Sequence, residues 1–257
     1  MLTLKSLLEY DTSLFTEGDY DILVGLDEVG RGSLAGPVVV SAYSSIAFCD
    51  SSFTKSLNEK KLQFLTKRRS LESINSLKEL NDSKKVKASS RQLLVDTLKD
   101  DIKSSYYAIA EKSSIYIDEH GIVISIFEAM KEALVKVLDL YNYEHKHKLK
   151  SVLVLVDGLK VIPKLETFLE LAGFNIKVTQ KAIRKGDAHS ASIAAASNIA
   201  KDYRDKLMRK LVSENPDLDI YSWKTNVGYG SKKHRDAIVE HGLSEYHRRS
   251  FCRSYQF

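Results

Sequence analysis

Residues 152–156 read Val-Leu-Val-Leu-Val and run directly into Asp157-Gly158. A strand with one wet face alternates apolar and polar residues, whereas an unbroken apolar run of this length marks a central strand buried on both faces. This run constrains the chain most, because both faces of whatever sheet it joins must be covered. It also delivers a carboxylate and a glycine to the end of a buried strand.

A second boundary of the same kind lies near the start. Residues 22–26 and 38–43 are rich in β-branched side chains and are separated by a glycine-rich loop, the pattern of a hairpin that opens a sheet. Between them, residues 25–37 read Gly-Leu-Asp-Glu-Val-Gly-Arg-Gly-Ser-Leu-Ala-Gly-Pro. Adjacent Asp27 and Glu28 at the end of an apolar strand repel each other and lose solvation unless a cation or a dense set of hydrogen bonds holds them. In isolation the same pair reads as an exposed turn.

Residues 4–14 read as a short amphipathic helix, and residues 50–79 as a polar insertion, helical or partly disordered. A helix is expected from an N-cap at Ser89 or Ser90 to about Lys103. Residues 105–110 read as a strand. Val123, Ile126, Phe127, Met130, Leu134 and Val137 recur at helical spacing and form one apolar face. Residues 141–150 read as a charged loop; His145 and His147 there alternate like a metal pair but have no third ligand nearby. A helix over residues 163–171 and a strand over 175–180 follow. Lys185-Gly186-Asp187 is expected to open a long alanine-rich helix with Ile193, Ala196, Ala200, Tyr203, Leu207 and Leu211 on one face. No repeat or linker divides the chain, so residues 1–257 read as one domain: a core over about 20–213 and a C-terminal portion over about 214–257.

The 257 residues are 43% hydrophobic and 28% charged, ordinary for a globular protein. No apolar run approaches a membrane span, and the N-terminus lacks the cleavage pattern of a signal peptide. Cys49 and Cys252 stand far apart without metal spacing and fit a reducing, cytoplasmic setting. The net charge is +5, and its excess is C-terminal: residues 181–257 hold 15 Lys+Arg against 9 Asp+Glu, while residues 1–180 hold 24 against 25. A basic final third suits a polyanionic partner such as nucleic acid, and solubility alone would explain a bias of this size equally well.

Asp27-Glu28, Asp157 and Asp187 each stand where a buried element meets a glycine. If neighbouring strands bring them together, four carboxylates cannot all stay ionised without cations, and oxygen-only ligands favour Mg²⁺ or Mn²⁺ over zinc. Two such ions would suit hydrolysis of a phosphodiester. Gly30, Gly32 and Gly36 admit a close backbone approach, and Arg31 between two of them is placed to meet phosphate. A tight hairpin explains the glycines equally well, though not the arginine. Tyr229, between Gly228 and Gly230 and followed by Lys232, Lys233 and His234, combines an aromatic ring that can stack on a base or sugar with cations that can meet phosphates, although Gly-Tyr-Gly alone is more often a turn.

Taken in order, GLDEVGRGSLAGPVVVSA, LNDSKK, YIDEHGI with SIFEAMKEAL, LVDG, KGDAHSASIAAASNIAKDYRD, NVGYGSKKH and GLSEYHRRSF resemble the ribonuclease HII family across most of residues 22–251. The resemblance implies a ribonuclease H-like α/β fold: a mixed five-stranded sheet flanked by helices, with a helical C-terminal extension that closes over substrate. It implies a metal-dependent endonuclease that cuts the RNA strand of RNA/DNA hybrids. It further implies nicking on the 5′ side of ribonucleotides embedded in duplex DNA, by a monomer, leaving 3′-hydroxyl and 5′-phosphate ends. Carried over by position, Asp27, Glu28, Asp157 and Asp187 are the metal-binding carboxylates for two Mg²⁺ or Mn²⁺ ions. Gly30, Arg31 and Gly32 resemble the loop that inspects the 2′-hydroxyl, Tyr229 the tyrosine that stacks on the next deoxyribose, and Lys84 and Lys85 a phosphate-binding segment. Ser33, where the family usually has proline, and Asn198 and Asp202, at usually apolar helix positions, depart from the pattern. A protein of the same fold that binds nucleic acid without cleaving it would be expected to lack at least one of the four acids, and all four are present.

Overall fold

The apolar run at 152–156 forms the heart of β4 (Ser151–Asp157), buried at every position before Asp157. The structure is a computed structural model that describes residues 3–50, 71–81, 83, 86–102, 104–145 and 149–255. Strands β1 (Ile22–Val29) and β5 (Lys177–Ile183) flank β4 in parallel. Next to β1 lie β2 (Val38–Ser45) and, at the edge, β3 (Ser105–Lys112), each antiparallel to its neighbour, giving the order β3-β2-β1-β4-β5.

Helix α1 (Leu4–Thr16) precedes the strands, α2 (Leu71–Lys78), α3 (Ala88–Asp96), α4 (Ser114–His120), α5 (Ile122–His145) and α6 (Leu165–Leu171) run between them, and α7 (Ala191–Glu214) and α8 (Lys232–His241) follow β5. Helix α5 covers one face of the sheet, packing on β2 and β3, and its Ile126, Met130, Leu134 and Val137 share one core with Val24, Leu26, Val38 and Val40. Helix α7 covers the other, with Ala191, Ala194, Ala195 and Ile199 beside Leu7 and Leu8 of α1. Each fully buried Val or Leu stabilises such layers by about 1.5–3 kcal/mol. The contact between α7 and β1 is unusually close: a Cβ on Gly25 would stand 2.4 Å from the carbonyl carbon of Ser192. Among the described residues, no helix is long and apolar enough to cross a membrane.

The C-terminal residues build a smaller core of their own. Leu34 and Ala35 pack there with Met208, Val212, Tyr221, Trp223, Ile238 and Cys252. An antiparallel bridge from Ala35 to His247 ties the loop after β1 into it. The expected five-stranded mixed sheet, flanking helices and helical C-terminal extension are all present.

Several local expectations need correction. Strand β1 continues through Val29, so Asp27 and Glu28 lie within it and not beyond its end. Helix α3 begins at Ala88 with Lys87 as its N-cap, so neither Ser89 nor Ser90 caps it; Arg91 secures the entry instead, donating to the carbonyls of Ser83 and Val86, both at 2.7 Å. The helix then loosens into a π-turn over Thr97–Asp101 and stops short of residue 103. Residues 141–145 are helical, since His145 stacks on Tyr141 one turn back at 4.1 Å and prolongs α5. Asp187 sits in a separate 3₁₀ turn, Gly186–Ala188, because Ser190 provides the cap of α7. Beyond Ala200 the buried face of α7 passes through Arg204, Met208 and Val212, while Tyr203, Leu207 and Leu211 are only half-buried, because the C-terminal core packs against that side. Of the insertion expected at 50–79, residues 71–78 form α2 and 51–70 lie outside the described residues, as does His147.

Asp11 on α1 anchors the start of α7. It is fully buried and its Oδ2 accepts from the Ser192 amide at 2.8 Å. Burial raises its pKa to about 6, against the pull of hydrogen bonds from Ser190 and Ser192. A raised carboxyl pKa contributes stability that is complete below the unfolded value, near 4, and is lost as pH climbs through 6. Asp11→Asn has no such charge to bury. Urea unfolding should therefore show the variant gaining on wild type by up to ~2 kcal/mol between pH 4 and 7. A difference that stays constant with pH would refute the assignment.

Candidate active site

The register of β1 and β4 brings two acids together. Leu26 pairs with Val156 in parallel, so the next residues, Asp27 and Asp157, emerge side by side. Successive strand residues point to opposite faces. Asp27 therefore turns toward α7, as Gly25 does, and Glu28 turns toward α5, where it borders a groove lined by Val123, Phe127 and Met130. The turn carrying Asp187 is fastened to the same strand end: Asp157 Oδ1 accepts from the Gly186 amide at 2.6 Å. Gly186 leaves no room for a side chain, since a Cβ would meet Ile193 at 2.5 Å.

One cleft of about 480 Å³ collects these groups. Asp27, Glu28, Asp157 and Asp187 line it with Gly30, Arg31, Gly32 and Tyr229, and Ser83, Ser197 and Lys201 complete its wall. Eight of the ten residues singled out from the sequence thus share one cavity. Lys84 and Lys85 lie outside the described residues.

The electrostatics are those of crowded acids. Burial holds the Asp27 carboxyl well above the usual carboxylate range, the charges of Asp157 and Glu28 push it further, and Asp187 adds to the rise against a hydrogen bond from Ser197. Glu28 is raised by burial too, but Arg31, 3.2 Å away, draws it back. Among the described residues, no three carboxylate, histidine or cysteine side chains are gathered tightly enough to form a metal cage by themselves. The four acids instead face a shared cleft and repel one another across it. Oxygen donors whose ionisation is suppressed by mutual charge fit a hard divalent cation, which would relieve that repulsion on binding.

Two buried arginines hold the glycine loop in place. Arg204 is fully buried and donates to the carbonyls of Pro37 at 2.9 Å, Val227 at 2.8 Å and Ala35 at 3.0 Å. Arg248, equally buried, donates to Gly36 at 3.0 Å and to Arg31 at 3.1 Å. Burial, then the charge of Arg204, pulls the Arg248 pKa down to about 9. Gly30, at φ 86°, passes so near that a Cβ would stand 2.2 Å from Arg204 Nε, so glycine is required both by conformation and by contact. Arg204 also lies 5.5 Å from the centre of the Tyr229 ring, with Lys201 Nζ at 5.9 Å.

Ser197, Lys201, Arg204 and Arg248 were not among the residues expected from sequence. The first three recur at i, i+4 and i+7 on a helix otherwise rich in alanine, a polar stripe that marks one face. Arg248 carries no comparable signal. Ser33 is buried with no hydrogen-bond partner for its hydroxyl among the described residues, while Asn198 donates to Asn81 and Ala194 carbonyls and Asp202 pairs with Lys206.

Lysine in place of Arg204 offers one compact ammonium where three carbonyls need a planar fork. Arg204→Lys should lower the unfolding free energy by ~2–5 kcal/mol in urea, since buried carbonyls lose their donors. A loss below ~1 kcal/mol would show that the clamp carries little weight.

Residues 24–254 match a family model described as ribonuclease HII. Ribonuclease HII of Clostridium beijerinckii is 34% identical over 247 residues, spanning 96% of this chain and 72% of that protein. Among solved structures, ribonuclease H2 from Pyrococcus horikoshii OT3 superposes with a TM-score of 0.56 at 24% identity, over 91% of this chain and 96% of that one. Bst-RNase HIII in complex with Mn²⁺ superposes at 0.53 with 16% identity, over 86% of this chain and 63% of that one.

Proposed function

The chain belongs to the ribonuclease HII family, endoribonucleases that hydrolyse the RNA strand of RNA/DNA hybrids, and we propose that it also nicks duplex DNA on the 5′ side of an embedded ribonucleotide. The observation that carries the proposal is the single cleft that joins four carboxylates, the Gly30-Arg31-Gly32 loop and Tyr229. Acids alone suit many phosphodiesters. Acids adjoining an accessible backbone loop and an aromatic ring suit a reaction that must tell one sugar from another.

Asp27, Glu28, Asp157 and Asp187 hold two Mg²⁺ or Mn²⁺ ions in this reading. Bound there, the ions supply Lewis acidity for the scissile phosphate and lower the pKa of water. The Gly186 amide orients Asp157, and Arg31 pairs with Glu28 and favours its charged form against the effect of burial. The 2′-hydroxyl is the group that separates RNA from DNA at a given position, and backbone groups of Gly30 to Gly32 reach it without an intervening side chain. Tyr229 stacks on the following deoxyribose, while Lys201 and the Lys84-Lys85 segment meet phosphates. Water adds in line to the phosphorus as the P–O3′ bond breaks, and the 3′-oxygen takes up a proton, which leaves 3′-hydroxyl and 5′-phosphate ends. The protein acts as a monomer in this reading.

Duplex DNA carrying one ribonucleotide, incubated with the purified protein and Mg²⁺ or Mn²⁺, should be nicked on the 5′ side of that residue. Asp187→Asn should reduce the rate roughly 100-fold or more while binding of the same duplex persists. Absence of nicking with both metals by wild type would overturn the proposal.

A further inference from the structure

Helix α8 starts at Lys232, with Ser231 as its N-cap accepting from the His234 amide at 3.3 Å. His234 is the third residue of that helix, and its ring folds back toward the chain that precedes it. Nδ1 stands 2.9 Å from the Tyr229 carbonyl oxygen, which also accepts from the Ser231 amide at 2.8 Å. Both lone pairs of that carbonyl are thus engaged.

The partners on the far side of the ring fix its tautomer. The Trp223 indole N–H donates to His234 Nε2 at 3.0 Å, so Nε2 carries no proton and Nδ1 must donate to Tyr229. His247 Nδ1 accepts from the Ser244 amide at 2.9 Å, which places its proton on Nε2, 3.0 Å from His234 Nε2. All three rings are essentially buried: Trp223 and His234 are 0% and His247 is 2% exposed. Burial lowers both imidazole pKa values, and the neutral forms this arrangement needs are therefore the stable ones.

The held segment is under strain. Val227 has φ 44° and Gly228 φ 85°, two successive left-handed residues immediately before Tyr229. A β-branched residue takes that conformation only where its surroundings enforce it. The tyrosine ring, 36% exposed, stands at the wall of the cleft.

We propose that His234 is a positioning residue that aims Tyr229 into the cleft through its Nδ1–H bond to the Tyr229 carbonyl, and so sets how well the protein cleaves at a ribonucleotide flanked by DNA. The proposal depends on the reading of Tyr229 as the residue that stacks on the deoxyribose. Trp223 and His247 act behind His234 by holding it in the donating tautomer.

Two substitutions divide the ring. Asparagine keeps an N–H donor where Nδ1 stands and offers nothing at Nε2; glutamine keeps an acceptor near Nε2 and loses the donor to Tyr229. Both remove half of a buried network, so both should lower the melting temperature. Only one should alter the selectivity. The readout is the ratio of kcat/KM on duplex DNA with one ribonucleotide to that on a continuous RNA/DNA hybrid. His234→Gln should lower this ratio about tenfold, the scale of one lost stacking contact, and Tyr229→Ala should lower it at least as much. His234→Asn should restore the ratio to near the wild-type value. In the double variant Tyr229→Ala, His234→Gln the second change should add nothing. If Tyr229→Ala is impaired while His234→Gln keeps the wild-type ratio, or while Asn and Gln lose it equally, or if the double variant is additive, the role of His234 is overturned and that of Tyr229 stands. A wild-type ratio for Tyr229→Ala would overturn the reading of Tyr229 itself, and the role of His234 with it.

Discussion

Helix α7 lies so close to strand β1 that its backbone occupies the space a side chain at position 25 would fill. Most of the site follows from that contact. It fixes the start of α7 against Gly25, two residues before Asp27 on β1, with Asp11 holding the helix end from the outer side. The turn bearing Asp187 is then short and has one place to go, beside Asp157 at the end of β4. Farther along the same helix, Ser197, Lys201 and Arg204 fall in a row along the cleft and the glycine loop. One element thus indexes the acids, a cation and the clamp to a common frame.

The charges divide into two zones. On the strand ends the acids are crowded and partly shielded from water, which raises the energy of their ionised forms. Behind the loop two guanidiniums are buried with carbonyl oxygens as their hydrogen-bond partners, so their positive charge is spread into peptide dipoles. Negative charge at the floor and positive charge behind the wall make a polar axis across the cleft. A polyanion bridged to the floor by divalent cations would lie along the favourable direction of that field.

Much of this was legible in the residues. The Val-Leu-Val-Leu-Val run needed no context to be a doubly buried strand, and an acid next to a glycine at the end of such a strand stands out because burial penalises it. Long-range effects hid the rest. Helical periodicity alone carries the apolar stripe of α7 through Tyr203, Leu207 and Leu211, but the C-terminal core takes Met208 and Val212, and Arg204 is buried on the same side. A fully buried arginine looks like a surface residue to any pattern based on hydrophobicity. The Ser190 cap is masked in the sequence by the Gly186-Asp187 pair just before it, which resembles a helix start. His234 followed two lysines and read as one more cation, though its partners are an indole and a second imidazole.

The bond from Arg248 to the Arg31 carbonyl spans 217 positions of sequence. During synthesis the glycine loop emerges well before its clamp. A nascent chain therefore carries the acids and the loop long before the group that shapes the loop has left the ribosome. The Arg248 bond to the loop can therefore form only after the intervening 217 positions have been made, and a chain interrupted before Arg248 would lack it.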